Sequence, residues 1–345
     1  MNIIVLCGGM STERDVSLIS GKKAAEALRR LGHKTVLVDL FFGYPHPYND
    51  PHEIFDHNFS DDIDATINDV PDLDALMAKR GGDNRSRIGS NIIEICSAAD
   101  IVFLALHGND GEDGKIQAMF ELYGIKYTGC DSLGSAMAMN KGVAKTIFLQ
   151  NGISTPTGIT VNKNDNEYKN PGFPCVVKPR SGGSSVGTSI VGSEKEYADA
   201  LALAFKYEDD VLVENYIKGR EFSVGVINGK ALPVIEIVPR AGFFDYKNKY
   251  LDNMTDEYCP AHISESAAKQ LQRAAEAVFE ALMLKVYARI DFILDESGRE
   301  WCLEANTLPG LTPSSLMPKE AAAAGIPYDD FCALIIEKSL EKYNG

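Results

Sequence analysis

Ala288-Arg-Ile-Asp-Phe-Ile-Leu294 is followed by Asp295-Glu-Ser-Gly298 and then by Arg299-Glu-Trp-Cys-Leu-Glu-Ala-Asn306. The first stretch is rich in β-branched and aromatic residues and carries polar residues at alternate positions. The four residues after it end in Gly, which is typical of a hairpin turn. The sequence therefore predicts a β-hairpin with one polar face.

The register of this hairpin decides which polar side chains meet. With a four-residue turn, Leu294 pairs with Arg299, Asp291 faces Cys302, and Arg289 faces Glu304. Because directly paired residues share a face, one side of the hairpin carries four polar side chains, namely Arg289, Asp291, Glu304 and Asn306. A slip of one residue would place Asp291 and Glu304 on opposite faces.

This polar face has two interpretations. Two carboxylates and a carboxamide suit a hard cation such as Mg²⁺, and an adjacent Arg suits the phosphate that accompanies such a cation. The alternative is a solvated face crossed by one Arg–Glu ion pair, which is worth roughly 0–1 kcal/mol. The choice between the cation site and the solvated face depends on motifs elsewhere in the chain.

Composition restricts the classes of partner. The chain has 345 residues, enough for two or three domains, with 45% hydrophobic and 24% charged residues. Its net charge of −15 argues against nucleic acid or an anionic membrane as the main partner. The start of the chain lacks a basic signal region, and no apolar run approaches the roughly 20 residues that span a bilayer. Seven scattered cysteines without a C-x-x-C pair predict reduced thiols in a cytoplasmic protein.

The first 95 residues predict the start of a parallel sheet. Residues 2–7 form a strand, Gly8-Gly9 a turn, residues from Ser11 or Thr12 to Leu31 a helix capped by one of those two, and residues 35–40 a second strand. Strand, helix and strand in this order make a βαβ unit. Residues 41–95 hold Pro45, Pro47 and Pro51, an acidic run and a polar stretch at 80–85, with helices expected at 73–78 and 88–96. We interpret them as an irregular insertion.

A further strand, residues 100–106, ends in His107-Gly-Asn-Asp-Gly-Glu-Asp-Gly114. A loop at the carboxyl end of a parallel strand is where α/β sheets bind ligands. Helices are predicted for residues 116–123 and 132–150, and the second carries Lys141 and Lys145.

A glycine-rich run, Pro179-Arg-Ser-Gly-Gly-Ser-Ser-Val-Gly187, lies between two predicted strands. It lacks the G-K-S/T ending and the following helix of a Walker loop. A flap of this kind can close its backbone N–H groups over phosphates, with Lys141 and Lys178 as the cations. The alternative is an ordinary flexible hairpin. Beyond the run, Asn228-Gly229 predicts a type I′ hairpin, and helices are predicted at 264–284, 319–324 and 328–343.

Five motifs in order along the chain resemble those of D-alanine–D-alanine ligases. The first, Gly8-Gly-Met-Ser-Thr-Glu-Arg-Asp-Val-Ser-Leu-Ile-Ser-Gly21, fits the opening G-G-x-S-x-E-x-x-V-S-x-x-S-G. The others are Ala105–Gly114, Val177–Gly187, Ala288–Asp291 and Leu303–Thr312. The glycine run or the hairpin alone would indicate only the wider ATP-grasp group.

The resemblance implies an α/β ATP-grasp fold of three subdomains. These are a Rossmann-like N-terminal α/β domain at 1–135 with the irregular insertion 41–95, a central α+β lobe at 136–217, and a C-terminal α+β lobe at 218–345 with a lid loop at 239–251. ATP would bind between the second and third.

The resemblance also implies the reaction. ATP activates one D-alanine as D-alanyl phosphate, and the amine of a second D-alanine displaces phosphate to give D-alanyl-D-alanine for peptidoglycan synthesis. Two Mg²⁺ ions, which Mn²⁺ can replace, are expected at Asp291, Glu304 and Asn306. The nucleotide phosphates, adenine and ribose are expected to meet Lys141, Lys178, Ser185, Glu214, Ile217, Glu221 and Lys249.

Two substrate sites follow from the same resemblance. Glu13 is expected to bind the first D-alanine's ammonium group, and Ser315 and Leu316 the second D-alanine's carboxylate. Arg289 and the Gly310 N–H would steady the oxyanion, and His107 would lie near the acyl phosphate. Closure is expected to join a hydrogen-bonded set, Glu13, Ser184 and Tyr250.

The lid bears on the choice of acceptor. Tyr250 and Leu316 are similar to the residues of dipeptide-forming members, and Tyr250→Phe should raise the share of hydroxy-acid product. D-serine or D-lactate as acceptor remains an alternative, as does another ATP-grasp carboxylate–amine ligase or a nucleotide-binding protein without chemistry.

Two departures from the family pattern are residues 41–95, which match nothing, and Lys247, where an acidic residue is common. Family members are commonly homodimers, and the expected partners are D-alanine and ATP.

Overall fold

The computed structural model describes residues 1–56, 71–81, 86–240 and 255–344. At the start of the chain, the predicted βαβ unit is confirmed. Strands β1 (Asn2–Cys7), β2 (Lys34–Asp39) and β3 (Ile101–Leu104) form a parallel sheet in the order β2-β1-β3. Helix α1 (Arg14–Arg30) connects the first two strands, but its N-cap residue is Glu13 rather than Ser11 or Thr12.

The region 41–95 is irregular in its described parts, as predicted. It contains a 3₁₀ turn (Pro51–Phe55) and the short helices α2 (Leu73–Arg80) and α3 (Ile92–Ser97). After β3 comes α4 (Lys115–Tyr123). After it, Tyr127 pairs with Val102 of β3 in a single isolated parallel bridge.

The helix predicted for residues 132–150 is two helices. Helix α5 (Ser132–Met139) ends at Asn140, and α6 (Lys141–Gln150) begins directly after it. Asn140 has extended backbone geometry, and its side chain accepts a hydrogen bond from the Val143 N–H at 3.1 Å, as an N-cap residue does. The break leaves the Lys141 N–H free to donate to the Arg180 carbonyl at 2.9 Å, which fixes the start of α6 against the glycine-rich run.

A four-stranded antiparallel sheet carries the glycine-rich run. Its strands are β4 (Gly158–Asn162), β5 (Cys175–Pro179), β6 (Ser189–Val191) and β7 (Asp210–Asn215), in the order β4-β7-β5-β6. Because β5 pairs with β6, the run between them is the predicted strand–loop–strand flap. Helix α7 (Glu194–Ala204) packs on this sheet through Tyr197 and Leu201.

A larger antiparallel sheet holds the hairpin. Its strands are β8 (Gly219–Ile227), β9 (Lys230–Ala231), β10 (Ile235–Pro239), β11 (Thr255–Tyr258), β12 (Tyr287–Asp295) and β13 (Glu300–Asn306). The order is β11-β10-β8-β12-β13, with the short β9 paired to β8. The type I′ turn is confirmed, since Asn228 and Gly229 both have positive φ, at 48° and 76°.

Three helices complete the chain: α8 (Glu265–Ala281), α9 (Leu316–Ala323) and α10 (Tyr328–Glu341). Helix α8 packs on the larger sheet, together with α6, through Leu271, Val278 and Phe148. Phe331 and Ile335 of α10 belong instead to the core around β1 and α1, so the two ends of the chain pack together. The boundaries predicted at 135 and 217 stay a prediction.

The hairpin β12–β13 is confirmed, but its predicted register is wrong. Leu294 pairs with Glu300, one residue beyond Arg299, and the pairing shifts again between Asp291 and Phe292. Phe292 faces Cys302 whereas Asp291 faces Glu304, so Leu303 is the extra residue of a β-bulge.

These two shifts of one residue add up to two. Since strand side chains alternate with a period of two, an even shift keeps Asp291 and Glu304 on the same face. Arg289 is consequently opposite Asn306 instead of Glu304. The predicted convergence of four polar side chains therefore survives an incorrect register.

Candidate active site

A cavity of about 400 Å³ lies between the four-stranded sheet and the larger sheet. The glycine-rich run and β5 form one wall, and β8, β10, β12 and β13 form the other. Eight of the residues predicted to meet nucleotide or metal line it: Lys141, Lys178, Ser185, Glu214, Ile217, Glu221, Asp291 and Glu304. Apolar side chains such as Ile237 and Ile293 line it too, so one cavity offers both an apolar and a strongly charged surface.

Asp291 is the centre of the polar face of the hairpin. Its two carboxylate oxygens accept hydrogen bonds from the Arg289 guanidinium at 2.9 and 2.8 Å. The Ser223 hydroxyl donates to the same carboxylate at 2.8 Å, and the Asn306 amide at 3.0 Å. Arg289 and Asn306 do not line the cavity themselves, but both lie against its metal-ligand candidate Asp291.

The donor set fits a hard divalent cation. Asp291 and Glu304 are directly opposed across the hairpin, and Asn306 adds an amide that can offer its oxygen. The two carboxylates are balanced by Arg289 on one side and by Lys141, whose Nζ is 3.1 Å from Glu304, on the other. Across the residues that the structure describes, no three His, Cys, Asp or Glu side chains form a metal cluster. A site here therefore needs the amide as its third protein ligand.

Lys141 lies at the first position of α6, where the break at Asn140 places it. Its Nζ donates to the Gly182 carbonyl at 2.5 Å and is paired with Glu304. Burial lowers the pKa of Lys141, but Glu304 and other carboxylates outweigh that effect and raise it. The ammonium group is thus charged and held between the glycine-rich run and the hairpin.

Glu214 is buried between two lysines. Lys178 is ion-paired with one carboxylate oxygen, and Lys145 Nζ lies 2.7 Å from the other. Lys145 also donates to the Thr155 hydroxyl at 2.8 Å. Burial raises the pKa of Glu214, but Lys178 and Lys145 outweigh it and hold that pKa below its usual value. Sequence reasoning placed Lys145 on the same helix as Lys141 and assigned it no role; its spacing of four residues, one helical turn, was the available signal.

Glu13 and Ser184 meet across the N-terminal segment and the glycine-rich run. The Ser184 hydroxyl donates to the Glu13 carboxylate, and both residues are buried. Ser184 and Ser185 have φ of 48° and 57°, a left-handed backbone that non-glycine residues rarely adopt. The predicted Glu13–Ser184 contact is therefore present, at a strained turn of the flap.

His107 and Glu112 together bind the backbone of Leu308. His107 Nδ1 is 2.7 Å from the Leu308 carbonyl oxygen, and Glu112 accepts from the Leu308 N–H at 3.1 Å and from the Gly108 N–H at 2.8 Å. The carbonyl can only accept, so Nδ1 carries the proton, and Nε2 accepts from the Ser20 hydroxyl at 2.9 Å. Burial lowers the pKa of His107, which keeps the ring neutral.

Glu112 is a residue that sequence reasoning missed. Burial, followed by the nearby Glu13 carboxylate, raises its pKa to about 7. Its position in the run 107–114 indicated a ligand loop, but the partner 196 residues away could be found only from the structure.

The candidate acceptor residues lie at the start of α9. Ser315 precedes the helix and its hydroxyl accepts from the Thr312 N–H at 3.1 Å, so no side chain caps the first turn. Leu316 is the first helical residue, and the N–H groups of a first turn attract carboxylates. Gly310 lies against Ser315, since a Cβ built on it would be 2.9 Å from the Ser315 hydroxyl oxygen. Lys249 and Tyr250, like most of the lid loop, lie outside the described residues.

The family models of known proteins match nearly the whole chain. A model described as D-ala D-ala ligase N-terminus matches residues 2–130, and one described as D-ala D-ala ligase C-terminus matches residues 145–337. The D-alanine–D-alanine ligase of Pediococcus pentosaceus is 43% identical over 343 residues and is covered, like this chain, to 97%.

Solved structures give the same result. The D-alanine–D-alanine ligase of Bacillus anthracis, crystallised with ATP, matches with a TM-score of 0.77 at 32% identity over 100% of both chains. A D-Ala:D-Ser ligase of Enterococcus faecalis matches with a TM-score of 0.75 at 30% identity over 98% of each chain. The predicted α/β ATP-grasp fold is confirmed, and the chain belongs to the D-alanine–D-alanine ligase family.

Proposed function

We propose that the chain joins two D-alanine molecules to D-alanyl-D-alanine, using ATP and releasing ADP and phosphate. The observation that carries this proposal is the convergence of Lys141, Lys178, Asp291 and Glu304 on one cavity, beneath a glycine-rich flap. Phosphoryl transfer asks mainly for positioning and for neutralisation of charge on the phosphates. A cavity with fixed cations, opposed carboxylates and an apolar wall suits a nucleotide triphosphate.

In the first step, the carboxylate of one D-alanine attacks the γ-phosphorus of ATP, giving D-alanyl phosphate and ADP. Lys141 and Lys178 are already buried and oriented, so they need little reorganisation to stabilise charge on the phosphates. Glu13 would bind the ammonium group of this D-alanine. Its contact with Ser184 would link the amino acid to the flap that covers the phosphates.

In the second step, the neutral amine of the other D-alanine attacks the acyl carbon and phosphate leaves. Arg289 and the Gly310 N–H would stabilise the developing oxyanion. Ser315 and the start of α9, with Leu316, would bind the acceptor's carboxylate through the helix dipole. His107 would support this region through Leu308 rather than by proton transfer, because both of its ring nitrogens are engaged.

Asp291, Glu304 and Asn306 would hold Mg²⁺, as two ions in the family pattern and with Mn²⁺ as a substitute. Bound there, the metal supplies positive charge next to the phosphates. Ser185, Glu214, Ile217 and Glu221 line the same cavity and would meet the nucleotide.

The lid would be the loop 239–251, with Lys249 reaching phosphate and Tyr250 joining Glu13 and Ser184. A lid is needed because water would hydrolyse the acyl phosphate. We also propose a homodimer acting in the cytoplasm. Among the described helices, none has both the length and the apolar character needed to cross a membrane.

The decisive test is D-alanine-dependent release of phosphate from Mg-ATP. Lys141→Met should lower the rate by at least about a hundredfold, since it removes a buried cation at the phosphates. Lys23→Met is the matched control, because Lys23 lies on α1 and forms a surface ion pair with Glu26. Absence of phosphate release by the unaltered chain would overturn the proposal. Mass analysis of products with D-alanine, D-serine and D-lactate in competition identifies the acceptor.

A further inference from the structure

Arg87, in the described part of the insertion 41–95, reaches the candidate amino-acid pocket. Its Nε donates to the Asp110 carboxylate at 2.6 Å, and its Nη2 donates to the Met10 carbonyl at 2.6 Å. Nothing in the reaction described above uses this guanidinium. Its two partners, however, belong to two different loops of the amino-acid pocket.

Those loops enclose Glu13. Met10 lies in the turn between β1 and Glu13, and Asp110 lies in the loop 107–114 after β3. The loops are in close contact at Gly108, where a Cβ would lie 2.5 Å from the Ser11 hydroxyl oxygen and 2.7 Å from a Glu13 carboxylate oxygen. A shift between the loops would therefore move Glu13, and Arg87 is bonded to both of them.

Arg80 holds the turn from which Arg87 projects. It ends α2, and its guanidinium donates to the carbonyl oxygens of Ser86 at 2.6 Å and Ile88 at 3.3 Å, on either side of Arg87. It also lies 4.1 Å from the ring centre of Phe41 and donates to the Phe41 carbonyl at 3.3 Å. Arg80 thus connects the backbone on both sides of Arg87 to Phe41.

Asp110 makes the contact energetically significant. Its side chain is buried, and its backbone has a left-handed φ of 69°. Burial raises the pKa of Asp110, and Arg87 opposes that shift. Without the guanidinium, a buried carboxylate would lose its cation, which is costly in free energy. Arg87, Asp110 and Glu13 also line one cavity of about 560 Å³, which Gly182 and Gly183 of the glycine-rich run line as well.

We propose that Arg87 is a positioning residue for the first amino acid. It ties the Met10 turn to the Asp110 loop and so sets the place of the Glu13 carboxylate. This inference rests on the proposed role of Glu13 in binding the ammonium group of the first D-alanine. It gives the insertion 41–95 a part in substrate binding.

The test separates the first amino-acid site from the second. Hydroxylamine traps an acyl phosphate as a hydroxamate. At D-alanine concentrations too low to fill the second site, hydroxamate formation from D-alanine and Mg-ATP therefore reports on the first site. Arg87→Gln should raise the D-alanine KM of this reaction about tenfold, the worth of one charge-assisted hydrogen bond. The KM for ATP should stay within about twofold, since Arg87 does not line the nucleotide cavity.

Arg30→Gln is the matched control. Arg30 also forms a 2.6 Å ion pair, with Asp329, and its side chain is 54% exposed against 53% for Arg87. It lies at the C-terminal end of α1, whereas Glu13 is the N-cap residue at the opposite end of the same helix. Arg87→Lys keeps the charge but not both hydrogen bonds, and should give an intermediate KM.

A double-mutant cycle tests whether Arg87 and Asp110 act through their mutual contact. Asp110→Asn should raise the same KM, and the Arg87→Gln/Asp110→Asn pair should raise it no further than the larger single effect. If Arg87→Gln does not fold, Arg87→Lys and Asp110→Asn carry the test by the same readout. A D-alanine KM equal to that of Arg30→Gln, or equal increases in the ATP and D-alanine KM values, would overturn the inference. Absence of hydroxamate with the unaltered chain would instead overturn the proposed function.

Discussion

Lys145 is the buried cation best suited to a quantitative test of the charged cluster. Its ammonium group bonds to Glu214 at 2.7 Å and to Thr155 at 2.8 Å, and it is 6% exposed. Methionine has nearly the same length and removes the charge without leaving a large cavity. Lys145→Met therefore isolates the two polar contacts.

The expected loss of stability follows from those contacts. Both hydrogen bonds are made by the charged ammonium group, and a hydrogen bond to a charged group contributes roughly 1.5–3 kcal/mol. Burial lowers the pKa of Lys145, so removing the charge regains part of this free energy. Lys178 still pairs with Glu214. We expect a net destabilisation of about 2–3 kcal/mol and about a tenfold higher KM for ATP, because Glu214 lines the nucleotide cavity.

Urea unfolding followed by tryptophan fluorescence measures the first quantity. Trp301 is the single tryptophan and lies on β13, in the sheet against which α6 packs. Lys338→Met is the control, since Lys338 also lies between two carboxylates, Glu337 and Glu341, but at the surface. If Lys145→Met costs no more than Lys338→Met and leaves the KM for ATP unchanged, the reasoning about a buried cluster is refuted.

Three further predictions concern pH, packing and the acceptor. The pKa of Glu112 is raised from 4.5 to about 7 in the folded chain, so the folded state binds this proton more tightly than the unfolded state does. The free energy of unfolding should therefore fall as pH rises from 4.5 to about 7. Glu112→Gln should flatten this pH dependence in urea unfolding, and an identical slope would contradict the prediction. Gly225→Ala should lower the free energy of unfolding, since its Cβ would lie 2.5 Å from a Glu320 carboxylate oxygen. In a double-mutant cycle Glu320→Ala should reduce this loss of stability, whereas strictly additive losses would count against the clash. Tyr250→Phe should raise the share of D-lactate product over D-alanine product by mass analysis, and an unchanged ratio would remove Tyr250 from acceptor choice.

Local patterns in the sequence predicted much of the fold. The first βαβ unit, the Asn228-Gly229 hairpin and the flap around the glycine-rich run depend on neighbouring residues, and the structure has all three. Two short strands, Gly158–Asn162 and Thr255–Tyr258, were not predicted. They are polar or mixed in sequence, and their pairing with distant strands is what makes them strands.

The features of the site that the sequence did not predict have a common physical cause. The Lys141 N–H, which follows the break at Asn140, bonds to the Arg180 carbonyl, and the Leu308 N–H bonds to the Glu112 carboxylate. In each pair the two residues are distant in sequence. Alternation along β13 likewise gives no sign of an extra residue at Leu303, because an apolar side chain there fits the cavity wall. The residue types of the site could be predicted, whereas the long-range bonds that orient them could not.

The Leu303 bulge also restricts how this hairpin can change in length. Loss of Leu303 alone would leave a regular ladder, in which Cys302 still faces Phe292 and Glu304 still faces Asp291, so that no ligand residue would change face. A second deletion on the same arm would find no extra residue to remove and would turn Glu304 and Asn306 away from Asp291. Loss of the extra residue should therefore survive selection by itself, whereas a second deletion on this arm should survive only with a compensating insertion.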